Sequence, residues 1–252
     1  MPGKAPVPAK AGIRTGFPSG IASNKYAGLD GCKAGWVMVT WSGSPDVSPQ
    51  AGIIPHFRHA LNTAAKVVAV DMPIGFPSSS ERQCESLARK LLGPKAASVF
   101  PVPCRQALKA TSQDGATRIN REYLKKGIPA QTFGLFRKMN EVDASIDSSM
   151  NERVHEIHPE VSFCIMNDQL PLKHGKKTPE GAALRRELLA RNGFPVDRLQ
   201  HPAWPKSKVA EDDILDACAC AWSAARIARG EHISLPAEPE FDARGLRMQI
   251  SA

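Results

Sequence analysis

Residues 26–41 read Tyr-Ala-Gly-Leu-Asp-Gly-Cys-Lys-Ala-Gly-Trp-Val-Met-Val-Thr-Trp, and the fold turns on how this stretch is read. Two short apolar runs, 26–29 and 36–41, flank a turn. In it Gly28, Gly31 and Gly35 leave room for backbone to approach a ligand or a partner strand. The pattern predicts two strands. Asp30 ends the first, its carboxylate held beside a sheet by stiff backbone. Asp-Gly is also a common turn dipeptide, so the meaning of Asp30 depends on which other carboxylates can reach it.

Three later stretches supply candidates. Residues 66–71, Lys-Val-Val-Ala-Val-Asp, form a β-branched run of the kind found in strands buried on both faces. Met72-Pro73-Ile74-Gly75 stops the run and leaves Asp71 at a strand's carboxyl end, where open α/β sheets place their sites. Residues 153–157 predict another strand, followed by His158-Pro159-Glu160. The last strong helix begins at Asp212 or Asp213 and runs to Arg229, with Gly230 past its end. Asp213 and Asp216 are three apart and share a face, as Asp212 and Asp216 do at four. Acids at a helix start also cap it and complement its dipole. That accounts for Asp212 and competes evenly with a site role for Asp213. Asp216 leads into Ala217-Cys218-Ala219-Cys220-Ala221, small residues that permit close packing on a sheet. A carboxylate entering such a face is costly unless paired or metal-bound. Two strand-end aspartates and an acidic helix start thus predict strands one and four as neighbours, with the helix laid across them. Glu160 is a candidate ligand or base and His158 a candidate hydrogen-bonding group, although ordinary loop roles account for both almost as well.

Residues 1–24 are rich in Pro, Gly, Ala and Lys, with no acid and no apolar period, and predict a disordered basic arm. Residues 52–57 predict a third strand, placed at an edge by Pro55, and 58–65 a short helix. A helix capped by Ser79 or Ser80 is expected to run to Leu92, before Gly93. Helical patterns follow at 116–126 and 132–147, where Phe133, Phe136, Met139 and Val142 have the spacing of a buried face. Residues 79–150 therefore read as a helical insertion within one domain spanning 25–235. Thr178-Pro179 starts another helix, closed by Gly193. Residues 236–252 read as a polar tail.

The 252 residues are enough for a sizeable core, and 42% hydrophobic with 23% charged is ordinary for a globular protein. A net charge of +8 favours an anionic partner, although a plain basic surface gives the same total. No apolar run approaches the roughly 20 residues of a spanning helix, and none near the start suits a signal peptide; the expectation is a cytoplasmic protein with no membrane association. The six cysteines contain no C-x-x-C pair, which removes the zinc-ribbon reading and predicts mostly buried, reduced thiols.

Carboxylates gathered from distant stretches are what phosphodiester hydrolysis requires. Mg²⁺ and Mn²⁺ prefer oxygen ligands, and three or four carboxylates hold two ions roughly 3.5–4 Å apart, one activating water and the other stabilising the leaving oxygen. Lys33, Arg82, Arg89, Arg105 and Lys177 are candidate phosphate-binding groups, each competing with a plain surface role. Such a site requires Asp30, Asp71 and Asp216 to converge. Asp30 and Asp71 lying far from Asp216, or an Arg or Lys neutralising them at close range, would overturn the enzymatic reading.

Taken in order, Gly-Leu-Asp-Gly-Cys-Lys-Ala-Gly-Trp, Val-Asp-Met-Pro-Ile-Gly, Arg82-Gln-Cys-Glu, Val-Phe-Pro-Val-Pro, Glu-Ile-His-Pro-Glu and Asp-Asp-Ile-Leu-Asp-Ala resemble the DUF429 family of predicted RNase H-like nucleases over residues 26–230. The resemblance implies a mixed five-stranded RNase H-like sheet with helices on both faces. It carries catalytic roles to Asp30, Asp71, Asp213 and Asp216, with Glu160 a possible addition, and implies Mg²⁺ or Mn²⁺ on the four aspartates. The Asp213-x-x-Asp216-Ala stretch is similar to the last helix of RuvC-type resolvases, from which Asp71 departs by standing where those have glutamate. The expected function is metal-dependent cleavage of DNA or RNA, with Lys33, Arg82, Arg105, His158 and Lys177 on substrate and a homodimer left open. Two alternatives stay beside it. One is an ATP-binding phosphotransferase of the actin-like type, with residues 28–35 cradling phosphate. The other is a non-catalytic nucleic-acid-binding module.

Overall fold

The computed structural model describes residues 26–252; the arm expected at 1–24 lies outside them. Seven strands form one sheet: β1 (Tyr26–Cys32), β2 (Gly35–Trp41), β3 (Gln50–Ile54), β4 (Val67–Val70), β5 (Val154–Ile157), β6 (Ser234–Phe241) and β7 (Arg247–Ser251). Their order is β3-β2-β1-β4-β5-β7-β6. The helices are α1 (Arg58–Leu61), α2 (Gln83–Leu92), α3 (Gln113–Leu124), α4 (Ala130–Gly134), α5 (Phe136–Ser145), α6 (Pro159–Met166), α7 (Pro179–Arg191) and α8 (Glu211–Arg229). None is long and apolar enough to cross a membrane.

β1 is central. It pairs antiparallel with β2 and parallel with β4, and β5 and β7 extend the parallel set. The expected neighbours, strands one and four, are adjacent. Residues two apart share a face, and the core divides by that rule. Ala27, Leu29, Trp36, Met38, Val68 and Val70 pack with Phe136, Met139 and Val142 of α5. Val37, Val39 and Trp41 pack with Phe163 of α6, Leu188 of α7 and the small residues of α8. Helices therefore cover both faces, and their apolar runs are continuous because neither face meets water.

Gly28 sets the depth of the α8 side. A Cβ there would lie 2.1 Å from the Ala221 amide nitrogen and 2.3 Å from the Ala217 carbonyl oxygen, so α8 lies on the backbone of β1 itself. Gly35, at φ +132°, turns β1 into β2; a Cβ there would lie 2.4 Å from the Ile54 carbonyl oxygen.

The sheet has seven strands where five were expected. Residues 236–252, read as a polar tail, contain most of β6 and all of β7, and β7 lies between β5 and β6. β6 carries two prolines and alternates poorly, its residues being exposed or half-buried, so the period-2 signal is weak there. α6 was also unread, because its single run of apolar residues lacks a polar face. The 79–150 stretch does lie between β4 and β5, but it is not one lobe. α2 packs against α6 and β7, whereas α5 covers β1 and β4. All six cysteines are buried and unpaired.

Candidate metal centre

Asp30 follows Gly28 by two residues in β1 and so faces α8. Where Ala217 and Ala221 straddle Gly28, Asp216 projects one residue earlier toward the carboxyl end of β1. Asp71 follows β4, and its amide donates to the Leu29 carbonyl at 2.9 Å, continuing the parallel ladder. One carboxylate oxygen from each of Asp30, Asp71 and Asp216 lies within 4.8 Å of the others. Asp30 and Asp216 are buried and Asp71 is partly exposed. Thus the carboxyl ends of two parallel strands and the first turns of α8 bring together acids that are 41 and 145 positions apart.

Electrostatics mark this group as unfinished. Burial pushes the Asp30 carboxyl well above its ordinary range, and the Asp71 and Asp216 charges add to that. Asp71 is pushed to about 7 by burial and by Asp216, and Asp216 to about 6 by burial, against the opposing pull of Lys176. Asp30 Oδ1 accepts from the Gly31 amide at 2.6 Å. Asp216 Oδ1 is buried with no hydrogen-bond partner. An orphaned buried carboxylate oxygen is costly, and an all-oxygen donor set suits Mg²⁺ or Mn²⁺. The residues present therefore fit a divalent ion.

One cation already touches the group. Lys176 Nζ donates to Asp216 Oδ2 at 2.6 Å and lies 3.8 Å from Asp212 Oδ2. This is close-range neutralisation of the kind that counts against a metal site. It reaches one oxygen of Asp216 and leaves the other free.

The remaining candidates divide. Asp213 is not part of the three-acid group. Its Oδ2 accepts from the Ala210 amide at 2.9 Å and closes the start of α8, although its side chain lines the adjoining clefts. Glu160, in the first turn of α6, lines the acid cleft but is ion-paired with the buried Arg185, so its charge is already satisfied. His158 also lines that cleft; its Nε2 lies 3.4 Å from the Ser98 carbonyl, and its Nδ1 is buried without a partner.

Two arginines are corrected. Arg82 is buried, bound to Glu85 and Glu156 and donating to the Ile74 and Gly75 carbonyls at 2.8 and 3.0 Å. It braces the loop behind Asp71 and is not free to reach substrate. Arg105 is held by Asp143, at 2.8 Å, and by Asp242, which joins the helical insertion to the β6–β7 turn. Arg89 likewise donates to the Val99 carbonyl, at 3.0 Å.

The acid cleft, about 410 Å³, is lined by the three aspartates, His158, Glu160 and Lys176. Sharing Gly31, Lys138 and Asp213 with it is a second cleft of about 510 Å³, lined by Lys33, Lys138, Lys177, Lys206 and Lys208. Lys33 and Lys177 are legible as candidates in the sequence. Lys138, Lys176, Lys206 and Lys208 are not. Lys206 and Lys208 lie in an irregular stretch with no periodic signal, and Lys138 is one cation on an ordinary amphipathic helix.

Among comparisons with known proteins, a family model described as "Protein of unknown function (DUF429)" matches residues 28–241. No curated protein and no solved structure matches.

Proposed function

The chain belongs to the DUF429 family, and from that premise and its acidic site we propose that it is a divalent-metal-dependent nuclease hydrolysing phosphodiester bonds of DNA or RNA. The observation that carries the reading is the convergence of Asp30, Asp71 and Asp216, with a buried Asp216 oxygen unpaired, beside a lysine-lined cleft. We read the contiguous strands β3-β2-β1-β4-β5 as an RNase H-like sheet to which β7 and β6 add an edge.

A bound divalent ion supplies a lowered pKa for attacking water and charge stabilisation at the leaving oxygen. The protein's own residues do the rest. Asp30, Asp71 and Asp216 would hold the ion, on β1, just past β4 and on α8. Lys33, Lys177, Lys206 and Lys208 of the second cleft neutralise phosphates and set the strand's position without reading sequence, while Lys138 is held by the Gly35 carbonyl and the Trp36 ring. His158 shapes the cleft wall, its Nε2 turned to the Ser98 carbonyl and its Nδ1 buried. The phosphotransferase alternative has no second sheet to enclose a nucleotide among the described residues. The binding-module alternative uses the same lysines and differs only in turnover.

Purified protein with Mn²⁺ or Mg²⁺ is expected to cut at least one of single-stranded, duplex, hybrid and branched substrates. Asp30→Asn and Asp216→Asn should each lower the rate by at least about 100-fold, a loss of roughly 3 kcal/mol of transition-state stabilisation, while metal-free binding persists. Tight binding with no cleavage of any substrate would establish the non-catalytic module instead.

A further inference from the structure

We propose that Lys176 is a built-in cation of the acidic site, so that the substrate-free protein holds one divalent ion where the carboxylates alone would hold two. The inference rests on the metal reading above and sharpens it from a two-ion to a one-ion centre.

Position is the first argument. Lys176 Nζ bonds Asp216 Oδ2 at 2.6 Å and sits 3.8 Å from Asp212 Oδ2. It thus takes one side of Asp216, and Oδ1 is left without a partner on the other. A carboxylate bridging two cations presents one oxygen to each. Here one of the two places is filled by an ammonium.

The backbone that presents Lys176 is the second argument, because it is built rather than slack. The Thr178 amide donates to the Gly175 carbonyl at 3.1 Å and its hydroxyl does so at 3.2 Å. The same hydroxyl accepts from the Gly181 amide at 3.0 Å, capping α7. Gly181 must be glycine for this turn to sit where it does, since a Cβ there would lie 1.9 Å from the Gly175 carbonyl oxygen. Arg185, one turn further along α7, is buried and bound to Glu160, which fastens α7 to α6 in the cleft wall. The turn carrying Lys176 is therefore fixed against the site from two sides.

The test counts ions rather than turnover. Mn²⁺ bound per chain at saturation would be measured by electron paramagnetic resonance on the full-length protein, at a pH where the aspartates are ionised. The expected counts are one for the natural protein, two for Lys176→Ala, and one for Lys176→Arg, which restores the charge. Asp71→Asn should bind fewer ions than the natural protein, which shows that the counted ions sit in this site. Any count other than one in the natural protein overturns the proposal, as does a count of one in Lys176→Ala, or an Asp71→Asn variant that keeps its full complement. The nuclease reading fails separately, on an absence of cleavage by the natural protein. A one, two, one pattern without cleavage would keep the lysine assignment and remove the enzyme.

Discussion

Asp71, itself partly exposed but set among buried acids, illustrates what its surroundings do to a carboxyl. Its carboxyl ordinarily titrates near 3.8, but burial and the Asp216 charge push it to about 7 in the folded protein. Between those values the folded chain holds a proton that the unfolded chain has released. The stability this group contributes is complete below pH 4 and is lost as pH rises through about 7. Asp216, pushed to about 6, acts with the same sign. Metal-free protein should therefore be less stable at pH 8 than at pH 5, by on the order of a few kcal/mol, and melt at a lower temperature. Asp71→Asn should flatten that slope, and Mn²⁺ should reverse the loss at pH 8. A thermal melt series with and without chelator reads all three, and an unchanged slope in Asp71→Asn would remove this account. Asp30, Asp71 and Asp216 were each legible in the sequence because a carboxylate at a strand end, or at the mouth of a small-residue helix, is out of place there. Arg82 and Arg105 were misread for the opposite reason. A lone arginine looks the same in sequence whether it faces solvent or a buried acid, and Glu156 is 74 positions from Arg82.

At the scale of elements, the decisive packing is α8 on β1. Small residues at Ala217 and Ala221 meet the bare backbone at Gly28, and this depth brings Asp216 to Asp30. Gly28→Ala would place a methyl group 2.1 Å from the Ala221 amide nitrogen and 2.3 Å from the Ala217 carbonyl. Both are backbone atoms, so α8 must lift. The variant should lose about 3 kcal/mol or more, at the upper end of overpacking costs. Under folding conditions it should also bind Mn²⁺ more weakly than the natural protein, because Asp216 moves with the helix. Chemical denaturation and metal titration measure the two effects. A variant with natural metal affinity would show that the site does not depend on this packing. The strands within residues 26–71 and the helix at 211–229 were legible because their runs of apolar or small residues are bounded by glycine, proline and acidic stops. β6 escaped because its prolines and mixed burial blur alternation, and α6 because it is apolar on most sides.

At the scale of the molecule, the +8 net charge is not spread evenly. Five lysines from four segments line one cleft that opens beside the acids. If phosphates lie there, the double variant Lys206→Glu/Lys208→Glu should weaken metal-free nucleic-acid binding at least tenfold. It should also reduce the salt dependence by about 0.7–0.9 in log–log slope for each phosphate that the variant no longer neutralises, with Mn²⁺ affinity unchanged. Anisotropy titrations over a range of salt would show it; unchanged binding would place the nucleic acid elsewhere. Local pattern alone determined the α/β class, the covering helix and the candidate acids, since apolar runs and side-chain chemistry act over a few residues; it ended the first strand at Asp30, whereas β1 continues to Cys32. Tertiary structure decided the seven-stranded extent of the sheet, the engagement of Arg82 and Arg105 in ion pairs, the convergence of three aspartates rather than four, and the arrival of Lys176 among them. Those outcomes depend on which distant segments meet, and a charge carries no mark in sequence of the partner that folding will set against it.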